Sequence, residues 1–185
     1  MSVSAVHSAI VTYLQGASIT HLNKVYQYPS SQMPETDFFP SGTYGNTTGA
    51  VIFAYMASGD ENRIAVGGAH SGRKWIPYRV ILNCFLRGYY PGTSGAGVMQ
   101  DPVYLCAQDN EAFLDSLIAA IRADRNAGAA GTVFMWGEGA SERMGGKDIV
   151  WEQDIPAALH GGRTAGVIEV HTRVEVYAID NAMNT

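Results

Sequence analysis

The stretch AGVIEVHTRVEVYAID, from Ala165 to Asp180, decides the fold because its apolar and polar residues alternate with a period of two. Such alternation is typical of a β-strand with one buried face and one exposed face. The apolar series predicts the side that faces the core, and the charged series predicts the side that faces solvent. The first series is Ile168, Val170, Thr172, Val174 and Val176; the second is Glu169, His171, Arg173 and Glu175.

Other stretches also have the composition of strands. WIPYRVILNCFLRGYY, residues 75–90, has the same period and predicts a long strand with one buried face. AVIFAYMAS (50–58) and RIAVGG (63–68) are separated by the turn-like SGDEN, and together they predict a hairpin. KVYQYP, residues 24–29, predicts a short strand that ends at its proline. VFMWGEG and IVWEQDIP, which precede the closing stretch, predict one or two further strands.

Two helices are predicted from apolar residues at three- and four-residue spacing. The first begins after Ser2 and ends at Gly16, with an apolar stripe of Val3, Val6, Ile10, Tyr13 and Leu14. The second is DNEAFLDSLIAAIRADRNAG, residues 109–128, for which we expect Asp109 to act as the amino-terminal cap. Its apolar stripe consists of Phe113, Leu114, Leu117, Ile118 and Ile121.

The order of these elements predicts an α+β fold. Strands that follow one another without crossover helices favour a mainly antiparallel sheet, with the two helices packed on one face. The length of 185 residues and the apolar content of 46% suit one domain over residues 1–185. Long loops rich in Gly, Ser and Pro are expected at residues 30–49 and 91–102.

Composition and charge limit the classes of function. Only 16% of residues are charged, which indicates a surface partly covered by copies or partners. The net charge of −5 disfavours tight binding to nucleic acid or to anionic membranes. The chain shows no basic leader and no apolar run long enough to span a membrane, so we expect a soluble protein made in a cytoplasm.

The segment GGAHSGRK, residues 67–74, resembles a phosphate-binding loop in its glycine spacing. Arg73 and Lys74 stand where such a loop has Lys followed by Ser or Thr, and strand-like residues follow instead of a helix. The segment is therefore interpreted as the tip of a β-hairpin. Its two cations become candidates for contact with an acidic partner surface.

No pattern of catalytic, cofactor-binding or metal-ligating residues is recognisable. The five histidines are scattered without metal-ligand spacing, and Cys84 and Cys106 lack a CxxC or Cys/His context, so both are expected to be reduced, half-buried thiols. His70 beside Ser71 leaves a small hydrolase or ligand-binding domain as an alternative, although no nucleophile elbow surrounds them. The charged residues of the closing strand are interpreted as candidate interface residues: Glu169, His171, Arg173 and Glu175.

The order of elements resembles one family. An amino-terminal helix, the strand VYQYP, a hairpin, a long strand, the helix DNEAFLDSLIAAIRADR and the closing strand VIEVHTRVEVYAI together resemble the tail terminator family of long-tailed, lambda-like bacteriophages. The resemblance covers roughly residues 3–179 and is one of pattern rather than of diagnostic residues. The chain differs from the family by its extra loops at 30–49 and 91–102.

The resemblance implies a structural virion protein without catalysis or cofactor. Such proteins form a six-fold ring that docks on the last ring of the tail tube, stops its polymerisation and joins the tail to the head. The implied partners are copies of the same chain, the tail-tube protein and a head-closure or head–tail connector protein. DNA would pass through the ring without specific binding, in a particle assembled in the host cytoplasm. The alternative within this class is another neck or tail component, either a head-closure or a tail-tube protein.

Overall fold

The computed structural model describes residues 3–30, 33–40, 48–59, 62–64, 73–90, 101–123, 134–136, 149–162 and 165–180. Its helices and strands within these ranges form the predicted α+β fold. In chain order they are α1 (Val3–Gly16), β1 (Leu22–Tyr26), α2 (Glu35–Phe38), β2 (Thr48–Gly59), β3 (Asn62–Ile64), β4 (Arg73–Tyr90), α3 (Pro102–Ala123), β5 (Phe134–Trp136), β6 (Ile149–Gln153), β7 (Ala157–Gly162) and β8 (Ala165–Asp180).

The two long alternating strands, β4 and β8, form the centre of the sheet. They pair antiparallel from Ile76 opposite Asp180 to Tyr90 opposite Gly166 without a shift in register. β2 pairs with the other edge of β4, and β1 adds to β2 in parallel, which the sequence did not indicate. On the far side of β8, the short strands β5, β6 and β7 pair with it one after another. The sheet is therefore mixed but mainly antiparallel, as predicted.

Helices α1 and α3 pack on one face of the sheet, as the sequence predicts. α1 contacts β1 and β2, whereas α3 contacts β4 and β8. Removing a large aliphatic side chain from water contributes about 1.5–3 kcal/mol, so this layer supplies much of the stability. Its largest fully buried side chains are Ile10, Leu14, Ile52, Leu82, Leu86, Phe113, Leu117 and Ile121.

The opposite face of the sheet is covered at one side by a segment that was predicted to be a surface loop. Within residues 30–49, Phe38 and Phe39 are buried against Val51 and Phe53. A Cβ atom on Gly49 would lie 1.8 Å from the carbonyl oxygen of Phe38, so only glycine permits this close approach. The prediction of a loop throughout this region was therefore wrong, because aromatic side chains within it pack on the sheet.

The predicted hairpin between residues 50–58 and 63–68 is also wrong. β2 and β3 both pair antiparallel with β4, in one register from Gly59 opposite Tyr78 to Asn62 opposite Trp75. They therefore run in the same direction along β4, and SGDEN does not reverse the chain. The pairing of β2 with β4 does shift in register just before this segment, between Met56 and Ser58. β3 and β4 are antiparallel, in agreement with the hairpin predicted around residues 67–74, and the residues that link them, 65–72, are outside the described ranges.

Helix α3 begins earlier than the sequence suggested. Asp101 accepts a hydrogen bond at its Oδ1 from the backbone N–H of Val103 at 2.9 Å, and Pro102 occupies the first helical position. An aspartate followed by proline is a common start of a helix, because proline there has no N–H that needs a partner. Asp109 therefore lies inside the helix and does not cap its amino terminus.

Candidate interaction surfaces

The charged residues of β8 lie on the face of the sheet opposite α1 and α3, where two arginines of β4 bind them. Arg79 Nη2 lies 2.7 Å from Glu175 Oε2, and Arg87 Nε lies 2.6 Å from Glu169 Oε2. Hydrogen bonding to Arg79 lowers the pKa of Glu175 and raises that of Arg79. These carboxylates are therefore engaged within the chain, and they connect β8 to β4.

His171 lies between the two ion pairs. Its Nδ1 is 3.2 Å from Asp154 Oδ2, and its ring stacks on Phe85 with centroids 4.7 Å apart. Arg173, 3.9 Å from Glu175, keeps 43% of its side chain exposed. Of the four predicted interface residues on β8, Arg173 is therefore the one most available to a partner.

The structure separates Arg73 and Lys74 from these four residues. Both lie in the first residues of β4, opposite Ile64 and Arg63 of β3. They are in a paired strand rather than at the tip of a hairpin, which corrects their predicted position. The pair formed by Arg87 and Glu169 lies toward the other end of β4. The residues predicted to form an interface therefore lie at two separate places along the sheet.

A polar cluster at the start of β2 was missed because its central residue was interpreted as a helix cap. Asp109 Oδ2 accepts hydrogen bonds from Tyr90 Oη at 2.6 Å and from Thr48 Oγ1 at 2.5 Å. His21 Nε2 lies 3.9 Å from Asp109 Oδ1. Two effects raise the pKa of Tyr90: burial is the larger, and the hydrogen bond to Asp109 is the second. Through these hydrogen bonds Asp109 connects the start of β2 and the end of β4 to helix α3.

Strands β6 and β7, with the link between them, form the outer edge of the sheet, and this β6–β7 edge (149–159) exposes apolar side chains. Ile155 is 87% exposed and Trp151 is 51% exposed. Val150 and Leu159 are each 40% exposed, whereas the other exposed large apolar residues in the described ranges are scattered: Val3, Tyr28 and Tyr104. An edge strand with apolar side chains favours contact with another chain.

The opposite edge of the sheet, at β1, is partly closed by the chain itself. Gln15 of α1 accepts a hydrogen bond at Oε1 from Val25 N and donates one through Nε2 to Asn23 O. Its amide thus takes the place of a neighbouring strand residue along β1. The two edges of the sheet therefore differ, since one is blocked by a side chain and the other carries exposed apolar residues.

A shallow groove of about 550 Å³ runs between α1 and α3 on the helix layer. Among the described residues, no charged side chain lines this α1–α3 groove. Its lining residues are Thr12, Tyr13, Gly16, Ala17, Ser18, Ser116, Ala119 and Ala120. Their small side chains leave room for a large apolar group.

Groups that could support catalysis or metal binding are limited in the described ranges. Cys84 and Cys106 are buried, and burial raises the pKa of both thiols, to about 12 for Cys106. Across these ranges no three His, Cys, Asp or Glu residues are grouped to hold a metal ion, and no helix is long and apolar enough to cross a membrane. His70 and Ser71 lie outside them. No protein-family model matches the chain, and no curated protein matches it.

Proposed function

We propose that this chain is a tail terminator subunit that assembles into a closed ring, of six copies by its family resemblance, at the end of a phage tail tube. The observation that carries the proposal is the difference between the two edges of the sheet. Gln15 blocks part of the β1 edge, whereas the β6–β7 edge exposes Trp151 and Ile155. A ring needs subunits with two unlike surfaces, because contacts between identical patches stop at a dimer.

The fold supports the same proposal. Helix α1, β1, the long strand β4, helix α3 and the closing strand β8 follow one another as the resemblance implies, although β2 and β3 pair with β4 instead of forming its hairpin. The net charge of −5 suits a channel through which DNA moves without adhering. In this role the chain acts by shape and contact, without catalysis or cofactor. Its partners are the tail-tube protein and a head-closure or connector protein in the neck of the virion.

Electron microscopy and native mass spectrometry of the purified chain test this function. A terminator forms closed rings from the 19.9 kDa subunit and stops the elongation of tail tubes when added to growing tubes. Long tubes formed by the chain alone would identify a tail-tube protein instead. A protein that stays monomeric and leaves the length of tail tubes unchanged would overturn the proposal.

A further inference from the structure

We infer that the two-stranded end of β3 and β4 in one subunit contacts the acidic side of α3, at Glu111 and Asp115, in a second copy. This β3–β4 arm comprises residues 62–64 and 73–75. The inference rests on the proposed function, because it names one contact that holds the ring together. Successive subunits then join head to tail.

The β3–β4 arm extends past the rest of the sheet. β2 ends at Gly59, and β8 pairs with β4 only as far as Ile76. Residues 73–75 of β4 pair, among the described residues, with β3 alone. A two-stranded hairpin is marginally stable in water unless a third strand or a helix packs against it. We therefore expect the arm to gain stability from contact with another surface.

Charge determines which surface the arm fits. Its residues include Arg63, Arg73 and Lys74 and no carboxylate. Arg63 lies directly opposite Lys74 in the register of the two strands, and Arg73 is next to Lys74 in sequence. The acids of this region, Asp60 and Glu61, precede the arm on the side of β2. A surface with an excess of carboxylates is therefore complementary to the arm.

Helix α3 offers such a surface. Glu111 and Asp115 lie one turn apart on it and are exposed, whereas its single Lys or Arg, Arg122, lies in the last turn. Helix α1, on the same face of the sheet, has no Lys, Arg, Asp or Glu in residues 3–16. The middle of the described helix layer therefore carries carboxylates that no Lys or Arg of α1 offsets.

The arm and the acidic side of α3 lie at opposite ends of the subunit. Asp109, just before Glu111, accepts a hydrogen bond from Tyr90 at the end of β4. Trp75 in the arm and Tyr90 are the two ends of a strand segment that spans about 50 Å at about 3.3 Å per residue. The contact therefore joins two copies, and a contact between unlike surfaces repeats from subunit to subunit until the ring closes.

Charge reversal in the purified chain tests the inference. Lys74→Glu in the arm and Glu111→Lys on α3 should each lose rings, with the concentration for half assembly raised at least about tenfold, equivalent to about 1.4 kcal/mol. The matched controls make the same changes of charge at exposed positions elsewhere, Lys24→Glu on β1 and Glu35→Lys on α2, and should keep rings. The chain with both Lys74→Glu and Glu111→Lys exchanges the two charges and should recover rings. Analytical ultracentrifugation measures the assembly of each variant.

A zero-length cross-link gives a second readout that does not depend on the stability of the ring. A carbodiimide joins a Lys amine to a carboxylate that it contacts, so the wild-type chain should yield Lys74 linked to Glu111 or Asp115. A mixture of isotopically light and heavy chains should show that the two peptides come from different copies. Lys74→Arg keeps the charge and removes the amine, so it should keep rings and lose this cross-link.

Rings that persist in either Lys74→Glu or Glu111→Lys would overturn the inference, and so would a double variant that does not recover them. Cross-links from Lys74 to other carboxylates alone would also overturn it, because the arm would then have another acceptor. These results leave the proposed terminator function intact, since another contact would close the ring. Conversely, rings that respond as expected but never stop growing tail tubes would refute the terminator function and keep the contact.

Discussion

Gln15 and Val25 join the first helix to the edge of the sheet. The side-chain oxygen of Gln15 lies 2.7 Å from the backbone nitrogen of Val25, and its amide donates to Asn23 O at 3.3 Å. Unpaired edge strands attract other chains, and proteins commonly block them with side chains or charges. This contact therefore covers part of the β1 edge.

Replacing Gln15 should open the β1 edge. We expect Gln15→Ala to lower the free energy of unfolding by about 1 kcal/mol and to increase irregular aggregation, because Val25 loses its side-chain partner. Denaturant unfolding and light scattering measure the two effects. Gln27→Ala is the control, since Gln27 donates a hydrogen bond to the exposed Ser8 hydroxyl and not to an edge strand among the described residues. Equal aggregation of both variants would show that Gln15 does not protect the edge.

The second prediction concerns the hydrogen bond between Asn110 and Thr172, which lies inside the apolar core. Asn110 Nδ2 donates to Thr172 Oγ1 at 3.1 Å, and the two residues are 1% and 0% exposed. Thr172→Val alone should cost about 1–3 kcal/mol, since it leaves the amide without its partner. Adding Asn110→Leu should recover most of that loss.

A thermodynamic cycle of the wild type, both single variants and the double variant in urea checks this coupling. Additive losses in the double variant would show that the two side chains contribute independently. The thermal transition gives the same comparison by a second method, and far-ultraviolet circular dichroism confirms that each variant folds.

Periodicity made the centre of this fold predictable. The alternation in β4 and β8 identifies their buried faces, and α1 and the second half of α3 follow from apolar spacing over several turns. Burial of such faces is a strong and local signal, because each position depends mainly on its own side chain. The placement of Glu169, His171, Arg173 and Glu175 on the face away from the helices follows from the same alternation.

Features that depend on distant contacts were not predictable. The start of α3 at Pro102 follows a stretch rich in glycine, which favoured a loop. The hairpin of residues 50–58 with 63–68 was predicted because turn-forming residues separate them, and it is wrong. The antiparallel pairing of β3 with β4, by contrast, agrees with the interpretation of residues 67–74 as the tip of a hairpin. Some roles arise only from contacts between elements that are distant in sequence. These are the bonds of Gln15 to β1, the bonds of Asp109 to β2 and β4, and the position of β6 at the edge of the sheet.

Acid stability provides the third prediction, through Glu175. Hydrogen bonding to Arg79 lowers the pKa of this carboxyl in the folded chain, so its contribution to stability is present above the pKa of an unfolded glutamate, about 4.3, and is lost as pH falls through the folded value. Glu175→Gln should therefore make the decline in stability below about pH 4 shallower. Urea titrations at a series of pH values measure it.

A change at Arg79 tests whether its hydrogen bond to Glu175 causes this pH dependence. Arg79→Gln should remove the same part of the pH dependence, because the hydrogen bond from Arg79 is the largest cause of the shift in Glu175. The double variant should then resemble either single variant. If Arg79→Gln leaves the acid dependence of the wild type unchanged, the ion pair is not its source.

The two thiols give the last prediction. Burial raises the pKa of Cys84 and Cys106, the latter to about 12, so very little thiolate exists at pH 8 in the folded chain. Because the thiolate is the reactive form, we expect Ellman's reagent to modify either residue roughly a thousandfold more slowly than a free thiol. In guanidinium chloride both should react at once. Rapid modification of the native chain, assigned with Cys84→Ala and Cys106→Ala, would show that the corresponding part of the core opens to solvent.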